Sequence, residues 1–309
     1  MLKSATKNKT TIAYALLIFV IFLWGASPLL NAVLNDKCSV GIRSTLVGII
    51  SVITLFILCG KKLKNLNKEY LKVALPTGAC VAIASIVQKI GLYYTTPTKY
   101  AFLENLSCVV VPIILFFAIK KRPSILTIIS SVLCLIGAFV LSGMSFGAEN
   151  ISFGIGEILC SLAGVLYGLN IAYTGDKIKK FDALLFLFVQ QCASVLIGLI
   201  SLVAFANIKI NGAPIEVIRF SFDATSILLI LAIALVSNVL CWFLRIYALK
   251  FVNPTAVAVM MPFSAVVTGV MSLAVGMDTL STEFVVGALI SLVAVILSSI
   301  ADIKYEKKS

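Results

Sequence analysis

Ten apolar stretches of about twenty residues each, separated by short polar gaps, dominate the sequence. A stretch of roughly 18 or more apolar residues is long enough to cross a bilayer as a helix. Strands of a membrane barrel would alternate apolar and polar residues, whereas these stretches are apolar on all sides. The pattern therefore predicts an all-α polytopic membrane protein with ten transmembrane helices.

The predicted spans are similar in length and are joined by short loops. They are Thr11–Leu34, Ser39–Cys59, Leu71–Thr95, Thr98–Ile119, Ser124–Ser142, Ser152–Tyr173, Ala183–Ala206, Ala224–Ala248, Pro254–Gly276 and Phe284–Ala301. The narrowest gap is at Pro97, where a tight turn has to separate two spans. Hydrophobic residues make up 61% of the 309 residues and charged residues 12%, which is more apolar surface than a soluble domain of this size can bury.

The basic residues lie mainly on one side of the predicted membrane. With ten spans both termini share a side, and that side holds 18 of the 25 Lys and Arg residues, against three on the other. The positive-inside rule makes the basic side cytoplasmic. We therefore predict a cell-membrane protein with both termini in the cytoplasm. A nucleic-acid partner is not expected, because the charge of +12 is scattered through short loops beside lipid headgroups.

The two halves of the chain echo each other. Trp24-Gly25 in the first span parallels Tyr167-Gly168 in the sixth, and both are followed by polar residues on the same helical face. The stretch from Gly91 to Thr98 likewise parallels the stretch from Ala248 to Thr255. Because each repeat has five helices, an odd number, the second copy must enter the membrane from the opposite side. The fold class is therefore predicted to be two inverted five-helix repeats with a site between them.

The predicted organisation follows from this repeat. It consists of an N-terminal tail, a first repeat, a connecting loop, a second repeat and a C-terminal tail, at residues 1–10, 11–143, 144–151, 152–302 and 303–309.

Several of these motifs, in their order and spacing, resemble those of EamA-type transporters of the drug/metabolite transporter superfamily. They include Trp24-Gly25, the stretch Gly91–Leu103 followed by Val109–Pro112, Gly156-Glu157, and Ala248-Leu249 leading to Asn253-Pro254-Thr255. The resemblance covers about residues 12–302. It implies a ten-helix bundle that moves small metabolites, amino acids or drugs, often outward. The chain departs from the family pattern after the fourth span, where Lys120-Lys121 replaces an acid, although Asp278 follows the ninth span.

Polar and aromatic residues inside the spans are the candidates for a substrate site. An ionisable group in a membrane helix costs about 2.5–3.5 kcal/mol on insertion scales and is a functional candidate by default. Aromatic rings would supply apolar walls, and amides would orient polar groups. The predicted substrate-binding residues are Trp24, Asn31, Gln88, Lys89, Tyr100, Glu104, Tyr167, Asn170, Gln190, Asn238, Trp242 and Arg245.

Glu104 leads this set as a titrating or ammonium-binding group. It lies about two turns into the fourth span, one turn beyond Tyr100 on the same face. Lys89 or Lys99 is placed to pair with it, so Glu104 is either a substrate or proton site or a member of a structural ion pair. A third interpretation, snorkelling of the charge to the surface, fits Lys99 and Arg43 better.

The second half offers Arg245 as a gate. Asn238, Trp242 and Arg245 form one stripe, and Arg245 corresponds to Gln88 of the first half. The alternative for Arg245 is an anchor near the cytoplasmic headgroups. Glu157 is predicted to be a helix-start acid at the positive end of the helix dipole.

Other features shape the spans rather than a site. Three prolines inside spans, Pro28, Pro112 and Pro262, are expected to kink their helices. The eight cysteines have no paired spacing and are predicted to be small packing residues.

Catalysis finds little support in the sequence. The chain has no histidine, which excludes His-dependent triads and HExxH zinc sites. Gly143–Gly147 matches G-x-S-x-G, but it follows a membrane helix rather than joining a strand to a helix. No P-loop is present. We therefore predict a protein that is not an enzyme and has no cofactor or metal.

The predicted function is secondary transport, by alternating access, of a small organic metabolite such as an amino acid or drug-like compound, by export or exchange. A membrane channel or a carboxylate-dependent membrane enzyme is the alternative. The expected partners are this substrate and membrane lipids. A coupling proton or ion, and the choice between monomer and homodimer, stay open.

Overall fold

The computed structural model describes residues 2–95, 100, 103–117, 120, 123–141, 154–207, 209–210, 213–214, 217–274 and 281–306. Lys99, Asp278 and Gly143–Gly147 lie outside these ranges. The α-helices are α1 Leu2–Gly25, α2 Ser27–Asn35, α3 Val40–Cys59, α4 Lys68–Gly91, α5 Ser107–Phe117, α6 Ile125–Leu141, α7 Ile155–Lys177, α8 Ala183–Asn207, α9 Ala224–Ala232, α10 Trp242–Ala248, α11 Pro254–Met260, α12 Phe263–Ala274 and α13 Thr282–Glu306.

Three other helical segments and a ribbon complete the secondary structure of the described ranges. The 3₁₀ segments Gly60–Asn65 and Ile178–Lys180 extend α3 and α7, and a π-helix at Ile233–Cys241 joins α9 to α10. Strand β1, Lys209–Ile210, pairs antiparallel with β2, Ala213–Pro214.

Within the described ranges, eight helical stretches are long and apolar enough to cross a membrane. They are Lys9–Asn35, Val40–Asn65, Lys68–Gly91, Ile155–Lys180, Ala183–Asn207, Ala224–Ala248, Pro254–Ala274 and Thr282–Ala301. Two shorter apolar helices, Ser107–Phe117 and Ile125–Val140, occupy the places of the fourth and fifth predicted spans. The prediction of a multi-pass membrane protein is confirmed, while the count of ten crossings stays a prediction.

Breaks interrupt several spans at the positions where the sequence carries proline. The first span bends at Ala26, where α1 gives way to α2 with Pro28 in its first turn. The ninth span breaks at Met261-Pro262, between α11 and α12. Pro112 and Pro76, in contrast, sit within the uninterrupted helices α5 and α4. Two of these four prolines thus lie at a helix break, because proline cannot donate the backbone hydrogen bond that would continue a helix.

The helices pack across the two predicted repeats as much as within them. Helix α4 packs on α7 and α8, α3 packs on α8 and the π-helix, and α1 packs on α10 and α12. Helix α5 packs on α7, and α6 packs on α13. The outward faces carry exposed apolar side chains such as Ile57, Phe117 and Val203, as a bilayer requires. These crossings leave polar side chains facing each other at the centre.

Candidate functional site

A cavity of about 160 Å³ lies between the helices of both halves. It is lined by residues of α1 to α5, α7, α8, the π-helix, α10 and α12. Ten of the twelve predicted site residues face it, namely Trp24, Asn31, Gln88, Lys89, Tyr100, Glu104, Tyr167, Asn238, Trp242 and Arg245. The tertiary structure therefore gathers residues that are more than 200 positions apart in the sequence.

Asn170 and Gln190 do not line this cavity, so their prediction as direct substrate contacts is not supported. Both side chains are buried behind the wall. Asn170 Nδ2 donates to the Thr77 carbonyl at 3.1 Å, and Gln190 Nε2 donates to Thr77 Oγ1 at 3.0 Å. The reason is geometric, since both amides reach toward Thr77 of α4 rather than the open space. Both amides hold Thr77 of α4 in position instead.

One end of the cavity is an aromatic cluster around Arg245. The Trp24 and Trp242 rings meet edge to face, with centroids 5.6 Å apart. Arg245 Cζ lies 3.9 Å from the Trp242 centroid, and its Nη2 donates to Asn170 Oδ1 at 2.6 Å. Arg245 is only 3% exposed, which contradicts the interpretation as a headgroup anchor. Stacking on an aromatic face stabilises a desolvated guanidinium, and Asn170 fixes its direction.

A hydrogen-bond chain joins three other residues that line the cavity. Gln88 Nε2 donates to Glu104 Oε2 at 2.7 Å, and the Tyr167 hydroxyl donates to Gln88 Oε1 at 3.0 Å. This chain links the Glu104 carboxylate of the fourth predicted span to α4 and α7. Because a hydrogen bond to an ionised acceptor is stronger than a neutral one, Gln88 holds one carboxylate oxygen of Glu104 in place. Among the described residues, the other oxygen has no hydrogen-bond donor.

Lys89 does not pair with Glu104, which corrects one of the predicted ion pairs. Its Nζ donates to Ser44 Oγ at 3.2 Å, and no salt bridge within 4.0 Å joins it to Glu104. The alternative partner, Lys99, lies outside the described residues. The two opposite charges therefore line the same cavity without an ion pair between them.

Arg43 is a structural clamp rather than a snorkelling side chain. It is 0% exposed, and its guanidinium donates to the Asn31 carbonyl at 2.9 Å and to Asn35 Oδ1 at 3.2 Å. Carbonyls of the last turn of a helix have no partner within that helix. Arg43 thus secures the end of α2 and with it the position of Asn31 in the cavity wall.

Glu157 is confirmed as a helix-start acid. Its Oε2 accepts from the Gly154 backbone N–H at 3.0 Å, and its Oε1 accepts from Thr95 Oγ1 at 2.8 Å. The side chain lies in the first turn of α7, where a negative charge is favourable. It is not among the cavity-lining residues.

The π-helix is a part of the site that the sequence analysis missed. Its Ala234 carbonyl accepts from Ser51 Oγ at 3.3 Å, its Ser237 carbonyl accepts from Trp24 Nε1 at 3.4 Å, and its Asn238 carbonyl accepts from Gln191 Nε2 at 3.3 Å. Donors from α3, α1 and α8 thus fasten one widened segment. No glycine or proline marks it, so only the polar pair Ser237-Asn238 in an apolar stretch gave a signal.

Two ion pairs brace opposite ends of α3. Beyond its start, Lys37 Nζ lies 2.5 Å from Asp223 Oδ2, and beyond its end Lys62 Nζ lies 3.1 Å from Asp182 Oδ2. The hydrogen bond from Lys37, with that from Ser226, lowers the pKa of Asp223 to about 2. Each pair joins a loop of one half of the chain to a loop of the other.

Comparisons with known proteins agree with this architecture. An uncharacterized transporter of Archaeoglobus fulgidus is 24% identical over 288 residues, which cover 92% of this chain and 84% of the relative. A solved crystal structure with 11% sequence identity aligns at a TM-score of 0.72 over 96% of this chain and 99% of its own. That likeness shows a shared fold.

The family comparison is more specific than either likeness. The model of the EamA-like transporter family matches residues 11–143 and again residues 154–300, in agreement with the motifs at Trp24-Gly25 and Ala248-Leu249. Since the two matches cover most of the chain, the protein belongs to the EamA-like transporter family and is a multi-pass membrane protein that transports small molecules.

Proposed function

We propose that the protein is a secondary transporter that carries a small metabolite of amino-acid size across the cell membrane by alternating access. The observation that carries this proposal is the cavity itself, which is shared by both halves and holds charges of both signs without an ion pair between Lys89 and Glu104. Transporters built from inverted repeats place their substrate site near the midplane, at the interface of the repeats.

Equivalent glycines support a two-fold relation between the halves. A Cβ built at Gly25 would lie 2.5 Å from Val267 Cγ1, and one built at Gly168 would lie 2.8 Å from Val110 Cγ1. Gly25 corresponds to Gly168 in the parallel motifs of the sequence. Val110 corresponds to Val267 when the Gly91–Thr98 and Ala248–Thr255 stretches are aligned. Superposing one half on the other would therefore convert the Gly25–Val267 contact into the Gly168–Val110 contact.

The crossing of α3 and α8 supports the same relation. Residues Ser44–Ser51 and Ser194–Ser201 are identical at five of eight positions. A Cβ at Gly48 would lie 3.0 Å from Val195 Cγ2, and one at Gly198 would lie 3.2 Å from the Thr45 backbone N. In this alignment Gly48 corresponds to Gly198 and Thr45 to Val195. Superposing one half on the other therefore converts each of these contacts into the other. The proposed pseudo-two-fold axis then passes through the crossing of α3 and α8.

The ion pairs at the two ends of α3 fit the scheme with their charges reversed. Lys37 and Asp182 precede the second and seventh predicted spans, while Lys62 and Asp223 precede the third and eighth. Exchange of the halves therefore converts Lys37–Asp223 into Asp182–Lys62. We propose that the first pair lies at the outer face and the second at the cytoplasmic face, with both termini in the cytoplasm as the positive-inside rule requires.

The size of the cavity favours an amino-acid-sized substrate over a drug-like one. Drug-sized ligands occupy pockets of roughly 300–1,000 Å³, whereas this cavity measures about 160 Å³. In the proposed mechanism Glu104 binds a cationic group of the substrate, or a coupling proton, and Arg245 with the two tryptophans closes one end. Export or exchange is the proposed direction.

A flux assay in liposomes tests the proposal. Purified protein would be tested for uptake and efflux of amino acids, amines, nucleosides and sugars, with and without an imposed pH gradient. Saturable, competitive and substrate-specific flux is expected. Flux that rises linearly with concentration and passes unrelated ions would instead favour the channel alternative, and turnover of a substrate without flux would favour the membrane enzyme.

A further inference from the structure

Lys89 is a charged residue of the cavity wall with one hydrogen-bond partner among the described residues. It projects from α4 into the same space as Glu104 and Arg245. Its hydrogen-bond partner is the neutral hydroxyl of Ser44, at 3.2 Å. A lysine ammonium carries three donors, so two of them have no acceptor among the described residues.

This arrangement is costly unless something else completes it. A charge held away from water is normally paired or hydrogen-bonded throughout, and charges inside membrane helices mark substrate pathways. Glu104, the acid of the cavity, is held by Gln88 and lies beyond the 4.0 Å limit of a salt bridge with Lys89. The space beside Lys89 and Ser44 thus offers donors with no acceptor.

Arg245 is held more firmly than Lys89. Its guanidinium lies on the Trp242 ring and donates to Asn170. Its Nε atom is buried without a hydrogen-bond partner among the described residues, so that donor is not open to a ligand in the cavity. Packing and Asn170 thus fix the direction of Arg245, whereas Lys89 has a flexible stem and, among the described residues, the single partner Ser44.

We propose that Lys89 and Ser44 form a subsite for the carboxylate group of the substrate. The ammonium supplies two charge-assisted hydrogen bonds, and the Ser44 hydroxyl lies beside it as a further donor. This inference rests on the proposed function for the cavity, and it adds the chemical class of the ligand: a small organic carboxylate. Glu104, which lines the same cavity, then faces the remainder of the molecule.

The chain contains its own probe for this subsite. It has two tryptophans in all, and both Trp24 and Trp242 line the cavity. Intrinsic tryptophan fluorescence of the purified protein therefore reports on the cavity alone. The probes are L-threonine, L-valine and L-phenylalanine, each compared with its own amide, which keeps the shape and replaces the carboxylate with a neutral group.

For the unmodified protein we expect at least one acid to give a saturable fluorescence change and to bind about tenfold or more tightly than its amide, since charge-assisted hydrogen bonds are the stronger ones. Lys89→Gln should bind the acid and the amide equally. Lys89→Arg should keep part of the preference, which distinguishes loss of charge from misfolding. Lys72→Gln, an exposed lysine on the same helix, should behave as the unmodified protein does.

Three results would overturn the subsite: equal binding of acid and amide by the unmodified protein, an undiminished preference in Lys89→Gln, or no saturable response to any of the three acids. The proposed function fails separately. A preference for carboxylates without flux in liposomes would reject transport and retain the subsite. Specific flux of amines or neutral solutes alone would support transport and reject the subsite.

Discussion

Replacing Glu104 with glutamine should weaken the binding of a cationic ligand while leaving the folding of the protein almost unchanged. The substitution keeps the shape of the side chain and removes its charge. Glu104 accepts one hydrogen bond, from Gln88 at 2.7 Å, which the amide oxygen of a glutamine can still accept. Folding should therefore change little, because the loss of charge in one hydrogen bond is offset by relief from burying an ion.

The effect on a cationic ligand should be much larger. A hydrogen bond to a charged group contributes about 1.5–3 kcal/mol, so losing the carboxylate should weaken binding of an ammonium-bearing probe roughly 10- to 150-fold. An N-acetylated form of the same probe lacks the ammonium group and should bind the unmodified protein and Glu104→Gln alike. Proton-dependent flux should also disappear.

The assay is tryptophan fluorescence titration for binding, followed by uptake into liposomes across a range of pH. Glu69→Gln is the matched control, because Glu69 is an exposed acid in the first turn of α4. If Glu104→Gln bound the free and acetylated probes as the unmodified protein does and transported at every pH tested, the role assigned to Glu104 would be rejected.

Three further substitutions test other parts of the structure. Arg245→Gln should abolish transport while leaving the chain inserted, and tryptophan emission should shift because the guanidinium leaves the Trp242 ring; unchanged transport would exclude a gate. Gly198→Leu should lower the free energy of unfolding by about 1–3 kcal/mol, because even a Cβ there lies 3.2 Å from the Thr45 backbone N. The thermal unfolding midpoint in detergent should fall accordingly, and an unchanged midpoint would contradict this packing. Asp223→Asn should remove a stability contribution that is fully present above the ordinary pKa of 3.8 and is lost as the pH falls toward about 2. The unfolding midpoints of the unmodified protein and of Asp223→Asn should therefore converge at the acid end of that pH range. A constant difference between them would refute the stabilising role of the Lys37–Asp223 pair.

The hydrophobic pattern was sufficient to place most helices. A membrane helix must satisfy its own backbone hydrogen bonds and present apolar side chains to lipid. The length and position of an apolar stretch in the sequence therefore predict the helix directly. Breaks beside Pro28 and Pro262 agree with the expectation that proline removes a backbone donor, although Pro76 and Pro112 lie within unbroken helices. The π-helix before Trp242 was not predictable, since it is fastened by side chains of three other helices.

The partners of the charged residues were the least predictable part of the site. Lys89 was one of two lysines expected to pair with Glu104, yet Gln88 donates to that carboxylate and Lys89 donates to Ser44. Helical spacing tells which side chains share a face of one helix, but the neighbour across a helix crossing depends on the rotation of both helices.

By itself, the sequence determined the class of protein, the order of its helices, the family and most of the polar residues that meet at the centre, because burial of charge in a membrane is too costly to be accidental. Only the tertiary structure decided that Asn170 and Gln190 stand behind the wall, that Arg245 lies on Trp242 and that Lys89 keeps free donors. These outcomes depend on distances of a few ångströms between helices far apart in the chain, and a one-dimensional pattern does not contain those distances.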